Sequence, residues 1–150
     1  MTNESEIIYR VNPAITNDEL NSLFADSWQN HQPTDFRPVL ECSLAFVCAY
    51  HSERLIGFVY LAWDGGTHAF VLDTTVHPEF RRRGVGTKLM EHAAIASKNR
   101  GIEWIHVDYE PHLQDFYARC GFKNTTAGLR NLQRENSNYF YAPTLKDAEN

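Results

Sequence analysis

The chain has 150 residues, of which 43% are hydrophobic and 22% are charged, and its formal net charge is −5. This length and composition fit a globular protein with a single domain over residues 1–150. No stretch approaches the roughly 18 consecutive apolar residues of a membrane span, and the polar, acidic start is not a signal peptide. The acidic balance argues against a nucleic-acid partner, because such domains spread excess positive charge over a surface.

The cysteines indicate a reducing compartment. Cys42, Cys48 and Cys120 are odd in number and form no Cys-x-x-Cys pair. Cys42 and Cys48 lie among apolar residues, which predicts buried free thiols. We therefore expect a cytoplasmic protein. We also expect no metal, because no pair of the seven histidines has the spacing of metal ligands.

The N-terminal part predicts one strand followed by two helices. Residues 7–11 alternate weakly and indicate an opening strand. Thr16 and Glu19 have the spacing of a capping box ahead of apolar residues at helical intervals, which predicts a first amphipathic helix. A second helix is predicted within residues 33–42, with Asp35 as its N-cap.

The middle of the chain predicts three antiparallel strands. Residues 44–50 and 55–63 are apolar runs rich in aromatic and β-branched residues, and a hairpin turn fits between them. Residues 64–67 contain two glycines, which favour a second tight turn before a strand over residues 69–76. Because these strands are apolar almost throughout, we expect both faces of the sheet to be covered.

The next elements are a helix, a strand and a short helix. Apolar residues recur at helical spacing over residues 84–100, and Gly101 is placed to end that helix. Residues 104–109 predict a strand, and residues 111–120 predict a short helix stopped by Gly121.

The remaining residues complete the predicted fold. Residues 125–132 and 139–141 could form a last hairpin, and the end from Lys146 is expected to fray. The order β-α-α-β-β-β-α-β-α-β-β predicts an α+β protein. Its architecture would be a three-layer sandwich around a central mixed, mostly antiparallel sheet.

A basic segment lies between the strand predicted over residues 69–76 and the helix predicted over residues 84–100. Arg81, Arg82 and Arg83 stand in a row and are followed by Gly84 and Gly86. Glycines let the backbone approach an anion closely, a helix N-terminus offers unpaired N–H groups, and arginines add charge-assisted hydrogen bonds to phosphate. The alternative is a solvated arginine run before a glycine-rich helix start. In an acidic chain, so local a cluster predicts a site for one small anion.

Two motifs around this segment resemble signatures of the GNAT family of N-acetyltransferases. The first, Val-x-Pro-x-Tyr/Phe-Arg/Gln-x-x-Gly-x-Gly/Ala, is matched by Val76, Pro78, Phe80, Arg81, Gly84 and Gly86. The second, an apolar residue, Tyr, three further residues and Gly-Phe, is matched by residues 116–122. The resemblance covers roughly residues 44–122 and departs from the family at Glu110, where the family often has Asn.

The resemblance implies acetyl-CoA as co-substrate. The backbone N–H groups of residues 83–87 would hold the pyrophosphate, and residues 74–76 would hydrogen-bond the pantetheine arm in a gap between this strand and the next. Val76 N–H would face the thioester carbonyl and stabilise its oxyanion. The implied cofactor-binding residues are Thr74, Thr75, Val76, Arg81, Arg82, Arg83, Gly84, Val85, Gly86 and Thr87.

Tyr117 is the implied general acid. A phenol with an ordinary pKa near ~10 is roughly matched to a leaving thiolate near ~8.5, so proton donation needs little tuning. Without the Gly-Phe that follows, the same tyrosine would be interpreted as a half-buried aromatic residue on a short helix. Cys120 adjoins Tyr117 but has no evident activating base, which favours packing as its role and direct transfer as the reaction path.

A proton acceptor is needed because deprotonating an alkyl amine at pH 7 costs about 4–5 kcal/mol. Asp73 lies three residues before Val76, and Asp108 and Glu110 close the neighbouring predicted strand. Each could act directly, through a water, or by binding the cationic amine, and each could instead be a solvated carboxylate at a strand end. We name Asp73 and Glu110, with Tyr117, as the catalytic candidates.

The sequence therefore predicts an enzyme that acetylates a primary amine of a small molecule or peptide, as a monomer or homodimer without nucleic-acid or membrane partners. A non-catalytic acetyl-CoA sensor is the alternative, and a nucleic-acid-binding module is disfavoured by the acidic balance. A small metabolite, an aminoglycoside-like polyamine and a peptide N-terminus all remain open as the acceptor. Four aromatic residues fit an acceptor pocket or the core equally well: Trp28, Phe36, Trp63 and Tyr109.

Overall fold

A computed structural model of the chain describes residues 6–133, and none of the helices within this range is long and apolar enough to cross a membrane. The strands are β1 (Ile7–Val11), β2 (Ala45–His51), β3 (Arg54–Trp63), β4 (His68–Val76) and β5 (Trp104–Val107). The helices are α1 (Asn17–Ser27), α2 (Arg37–Cys42), α3 (Val85–Asn99) and α4 (Gln114–Arg119). Short 3₁₀ turns at Pro78–Phe80 and Pro111–Leu113 precede α3 and α4.

The five strands form one sheet in the order β1-β2-β3-β4-β5. The first four are antiparallel neighbours, and β5 runs parallel to β4 because α3 carries the chain back over the sheet. The glycine turn between β3 and β4 forms as predicted, and the Asp64 carboxylate accepts hydrogen bonds from the N–H groups of Gly66 and His68 at 2.7 and 3.2 Å. The predicted mixed, mostly antiparallel sheet is confirmed.

Alternate residues of the strands supply two hydrophobic cores, one on each face of the sheet. Along β2, Val47 and Ala49 pack in the core beneath α3, whereas Cys48 and Tyr50 pack in the core beneath α1. The α1 side is completed by Leu20, Leu23, Phe24, Phe36 and Phe58, and the α3 side by Val85, Leu89, Ala93, Leu113 and Tyr117. Both faces are covered, which confirms the three-layer prediction.

The two N-terminal helices begin differently. At α1 the predicted capping box is present, because Thr16 Oγ1 accepts the Glu19 N–H and the Glu19 carboxylate accepts the Thr16 N–H. At α2 the predicted N-cap is wrong by one residue: Phe36 occupies that position, and Asp35 Oδ1 accepts the Arg37 N–H from outside the helix. The prediction that Cys42 is buried is also wrong, since it ends a helix that buries none of its residues.

Three predictions for the C-terminal part need correction. Strand β5 ends at Val107 rather than at residue 109, because its pairing with β4 stops at Val71. The helix predicted over residues 111–120 is a 3₁₀ turn followed by α4. Residues 125–132 are exposed and form no strand, and within residues 6–133 no strand pairs with them. The predictions for residues 139–141 and for the end from Lys146 lie outside the described residues.

Gly57 on β3 sets the separation between the sheet and the start of α3. A Cβ atom at this position would lie 3.1 Å from Ala49 Cβ and 3.2 Å from both Leu89 Cδ1 and Val85 Cγ1. These distances are shorter than ordinary carbon contacts, so a side chain would force Ala49, Leu89 or Val85 to shift by a few tenths of an ångström. Without one, the start of α3 packs closely on β3 at the point where Gly57 pairs with Val76 of β4.

Candidate active site

Strand β4 keeps its partner on one edge and loses it on the other. Its pairing with β3 continues to Val76, opposite Gly57, whereas its pairing with β5 ends at Val71, opposite Val107. The β4 edge over residues 72–76 therefore faces a gap in the sheet. This is the opening that the family resemblance implied between the two strands, and it begins where β5 ends early.

A β-bulge interrupts β4 inside this gap. Phe58 pairs with Thr75 and Tyr60 with Leu72, so two residues of β4 lie opposite Val59. Asp73 adopts a left-handed conformation with φ 54°, which an aspartate tolerates better than most residues. Sequence reasoning missed the bulge, because nothing in the local pattern of alternating residues signals it.

The polar groups of Val76 point into the gap. The His77 N–H donates to the Ile56 carbonyl oxygen at 2.8 Å, so the adjacent Val76–Gly57 pair is a pair without mutual hydrogen bonds. The N–H and C=O of Val76 are consequently directed away from β3. The C=O accepts a hydrogen bond from Arg81 Nε at 3.1 Å, and the N–H faces the opening.

The arginine-glycine loop presents backbone N–H groups beside the gap. Gly84 is the N-cap of α3 with φ +79°, a conformation that suits glycine, and no side chain caps the helix. The first intrahelical bond is from the Lys88 N–H to the Gly84 carbonyl oxygen, so the N–H groups of Val85, Gly86 and Thr87 have no partner within the helix. This arrangement, with the helix dipole, suits an anion.

The three arginines face different ways. Arg82, with φ 59°, and Arg83 are exposed, and the Arg83 guanidinium lies 5.1 Å from the centre of the Phe80 ring. Arg81 points inward, where its guanidinium donates to the carbonyl oxygens of Val76 and Ser27 at 3.1 and 3.2 Å. Two of the three are thus placed to meet an anion at the surface, while the third contacts the protein itself.

Tyr117 reaches the gap from α4 on the α3 side of the sheet. Its side chain is 1% exposed, and its hydroxyl donates a long hydrogen bond of 3.5 Å to Thr74 Oγ1. The ring stacks on Tyr109 with a centroid separation of 4.9 Å and meets Phe122 edge-on. Tyr109 therefore helps to hold Tyr117, and the Gly-Phe of the second motif serves to pack the tyrosine ring.

The candidate carboxylates are not equivalent. Asp73 lies in the bulge, and burial together with the Asp73 charge raises the pKa of the neighbouring Tyr60 to about 12. Asp108 is exposed and lies beyond the end of β5 rather than within it. Glu110 is half-buried, and its carbonyl oxygen accepts the Leu113 N–H at the start of the 3₁₀ turn. Only Asp73 belongs to the β4 segment that faces the gap.

A cysteine and two histidines also lie around this site. Burial raises the pKa of the half-buried Cys120 thiol, and its hydrogen bond with Thr87 only partly offsets this, which agrees with a packing role. His77 is buried behind Val76, whereas His106 pairs with His68 at 2.8 Å near β5, where the helices leave part of the sheet exposed. Within residues 6–133, no three His, Cys, Asp or Glu side chains are grouped as metal ligands.

The aromatic residues proposed for the acceptor pocket divide between core and site. Phe36 is 4% exposed and belongs to the α1-side core, and Trp63 packs against the opposite core. Trp28, at the end of α1, donates from Nε1 to Thr75 Oγ1 at 3.0 Å and so borders the bulge. Sequence reasoning had no signal for this contact, because its partners are 47 residues apart.

The chain has sequence relatives among the N-acetyltransferases. The chain is 31% identical to the uncharacterized N-acetyltransferase ycf52-like of Prochlorococcus marinus over 117 residues, 75% of this chain and 65% of the relative. It is 30% identical to the uncharacterized N-acetyltransferase ycf52 of Porphyra purpurea, over 54% of this chain and 47% of the relative. A third relative is the GCN5-related N-acetyltransferase 1, chloroplastic, of Arabidopsis thaliana, at 25% identity over 84% and 66%. The chain thus spans about half to two thirds of these curated relatives.

Solved structures share the fold. A putative acetyltransferase from Deinococcus radiodurans superposes with a TM-score of 0.73 at 21% identity, covering 88% of this chain and 92% of that one. The aminoglycoside N-acetyltransferase AAC(6')-Iy in complex with CoA gives 0.72 at 21% identity, covering 87% and 97%. Residues 15–122, which include the gap, the loop and Tyr117, match the Acetyltransferase (GNAT) family. The chain belongs to this family of acetyltransferases.

Proposed function

We propose that this protein transfers the acetyl group of acetyl-CoA to a primary amine of a small molecule or peptide. The observation that carries the proposal is the open edge of β4, where the Val76 N–H, the start of α3 and Tyr117 converge on one gap in the sheet. Family membership and the fold shared with a CoA complex point to the same donor.

The residues present fit CoA. The unpaired β4 edge offers extended backbone to a pantetheine arm, as when a strand is added to a sheet edge. The backbone N–H groups of residues 83–87 would hold the pyrophosphate, with Arg82 and Arg83 adding charge from the surface. Arg81 is a weaker candidate for this role than the sequence suggested, because its guanidinium already contacts two carbonyl oxygens.

When bound, acetyl-CoA supplies a thioester whose carbonyl carbon an amine attacks, so that a C–N bond forms and the C–S bond breaks. The Val76 N–H would donate to the carbonyl oxygen as negative charge develops on it. The Tyr117 hydroxyl would give its proton to the leaving sulfur. In the structure the same hydroxyl donates to Thr74 Oγ1 over a long 3.5 Å, so it would turn from Thr74 to the sulfur as it gives up its proton.

Asp73 is the preferred proton acceptor, with Glu110 as the second candidate. Asp73 lies in the bulge of the open segment, next to Thr74, and its charge helps to raise the pKa of Tyr60, whereas Glu110 follows β5 on the far side of the gap. Asp73→Asn keeps a residue that tolerates the left-handed conformation. We expect it to lower kcat about tenfold near neutral pH and to move the acidic limb of the pH–rate profile. An unchanged profile would transfer the role to Glu110 or to a water.

The acceptor is proposed as a cationic amine because a carboxylate flanks the gap. The structural neighbour AAC(6')-Iy is named for aminoglycoside N-acetylation, which makes polyamine sugars a sensible first group of acceptors to test. The decisive assay follows CoA release from acetyl-CoA with aminoglycosides, amino sugars, polyamines and peptide N-termini. Calorimetry with acetyl-CoA runs in parallel. Binding of acetyl-CoA without release of CoA for any amine would favour the sensor alternative. A protein that does not bind acetyl-CoA would contradict the proposal.

The remaining expectations concern the setting of the enzyme. We propose one domain acting as a monomer or homodimer, with neither a nucleic-acid nor a membrane partner, and without a metal. We place it in the cytoplasm, because the buried Cys48 thiol indicates a reducing compartment. Light scattering would give the oligomeric state, and fractionation of native cells would separate a cytoplasmic protein from a plastid one like the chloroplastic relative.

A further inference from the structure

The last turn of α1 contacts the open end of β4 through three consecutive residues. The α1–β4 contact, as we call it, has three members: Trp28 meets Thr75 directly, Arg81 links Ser27 to Val76, and His77, the residue after β4, meets Asp26. Together they tie the end of α1 to the end of β4.

The first member holds the bulge. Trp28 Nε1 donates to Thr75 Oγ1 at 3.0 Å, and the same hydroxyl donates to the Asp73 carbonyl oxygen at 2.9 Å. The indole therefore orients the threonine hydroxyl, and the hydroxyl ties the two ends of the bulge together. The peptide group between Thr75 and Val76, which carries the Val76 N–H, comes directly after the residue whose hydroxyl makes these two hydrogen bonds.

The second member is Arg81. Its guanidinium spans from the Ser27 carbonyl oxygen, at the end of α1, to the Val76 carbonyl oxygen, with donor distances of 3.2 and 3.1 Å. The Val76–His77 peptide group is thus held from both sides, by Arg81 at its C=O and by Ile56 at its N–H. A planar fork that meets two acceptors is a geometry that arginine provides and lysine does not.

The third member is the buried His77 side chain. Its Nδ1 accepts the Glu79 N–H at 3.2 Å, and its Nε2 lies 3.4 Å from Asp26 Oδ2 and 2.8 Å from Arg54 Nη2. Arg54 also lies 3.6 Å from the same Asp26 carboxylate. The contact on this side therefore joins α1, β3 and the turn after β4.

We propose that Arg81 and Trp28 are positioning residues that hold the Val76 N–H in the gap by tying the end of β4 to the end of α1. This inference rests on the proposed function, and it replaces a phosphate-binding role for Arg81. It also couples the two sides of the sheet, because α1 lies on the face opposite Tyr117. A displacement of the α1 end would move the N–H that faces the thioester.

The test is Arg81→Lys, which keeps the positive charge but offers one compact donor group instead of a fork. We expect kcat to fall about tenfold, since a misplaced oxyanion donor is costly, while the Kd for CoA changes less than about twofold. Lys98→Gln, at the far end of α3, is the control. A Kd for CoA raised about tenfold would make Arg81 a phosphate ligand and overturn the proposal, as would unchanged kinetics.

Two further measurements keep the test independent of folding and of the proposed function. If Arg81→Lys does not fold, Trp28→Phe removes one hydrogen bond and should lower kcat about threefold with unchanged CoA affinity; wild-type kinetics would overturn the proposal. In ligand-free protein, the Val76 amide NMR signal should shift and broaden in either variant, while that of Val71 stays in place. An unmoved Val76 signal would overturn the positioning role. Failure of the wild type to bind acetyl-CoA would overturn only the proposed function.

Discussion

The two ends of β4 differ in what surrounds them. Over residues 68–71 the strand has hydrogen-bonded neighbours on both edges, and Ala69 and Val71 are buried in the core beneath α3. Over residues 72–76 one edge is open, the strand carries a bulge, and its polar groups are aimed at a gap. The first end has no backbone groups left to offer a ligand, whereas the second has them and is held in place by contacts from α1 and α4. We therefore expect stability and binding to depend on different halves of one strand.

The largest effect is expected when the candidate general acid at the open end of β4 is removed. Tyr117→Phe keeps the ring packed against Tyr109 and loses only the hydroxyl that reaches Thr74. We expect kcat to fall about 10²-fold, since general acid catalysis contributes on this scale. Steady-state rates and calorimetry with CoA measure the change, with CoA affinity expected to stay at the wild-type value. An unaltered kcat would take Tyr117 out of the mechanism.

A second variant probes the loop beside the open end. Gly86→Val places a branched side chain in the first turn of α3, where backbone N–H groups would meet phosphate. We expect CoA affinity to fall about tenfold, corresponding to about 1.4 kcal/mol of binding free energy. Ile95→Val, on the exposed face of the same helix, is the matched control. If Gly86→Val binds CoA as tightly as the wild type, the phosphate assignment is wrong.

At the paired end the expected outcome is reversed. Val71→Ala removes two methyl groups from the core where β4 meets β5. We expect the free energy of unfolding to drop by about 2 kcal/mol because a cavity is left, while kcat at a temperature below the transition changes less than about twofold. Urea denaturation and initial rates provide the two measurements. A large loss of kcat with little loss of stability would show that the two halves are not separate.

The smallest effect is expected at alkaline pH, where the open end contributes to stability through Tyr60. Burial, followed by the Asp73 charge, raises the pKa of this phenol from 10.0 to about 12. The unfolded chain loses the proton first, so stability is full below pH 10 and declines as pH rises towards 12. Tyr60→Phe should flatten part of this decline in urea titrations. Some slope should remain, because burial also raises the pKa of Cys48 from 9.0 to about 12. An identical slope in both proteins would show that folding does not raise the pKa of Tyr60.

Local sequence patterns were enough for the elements and for the loop. Caps, turns and phosphate loops are built from neighbouring residues, so a few consecutive residues are enough to recognise them. This holds for the capping box at Thr16, the glycine turn after β3 and the segment from Val76 to Thr87. The length of β5 and the exposure of Cys42 depend on which distant residues cover them, and both were mispredicted.

The contacts that arrange the site could not be predicted from the sequence, because they also depend on residues that are distant along the chain. The bulge at Asp73 is a matter of register between two strands, and the inward turn of Arg81 depends on a carbonyl oxygen 54 residues earlier. A row of three arginines gives no indication that one of them faces the protein. The motif therefore pointed to the candidate site but not to the contacts that hold it.

The missing side chain at Gly57 has a consequence for engineering. Position 57 is enclosed between the sheet and α3, yet Val85, its neighbour at 3.2 Å, belongs to the first turn of α3 beside the gap. Because Gly57 has no side chain, β3 and the first turn of α3 can pack closely together beneath the candidate donor site. A single added methyl group would have to displace Ala49, Leu89 or Val85 by a few tenths of an ångström. Mutant libraries that vary only the residues in contact with a ligand would leave out position 57. A substitution at this position could nevertheless shift the backbone amide groups of the first turn of α3 without changing any residue of that turn.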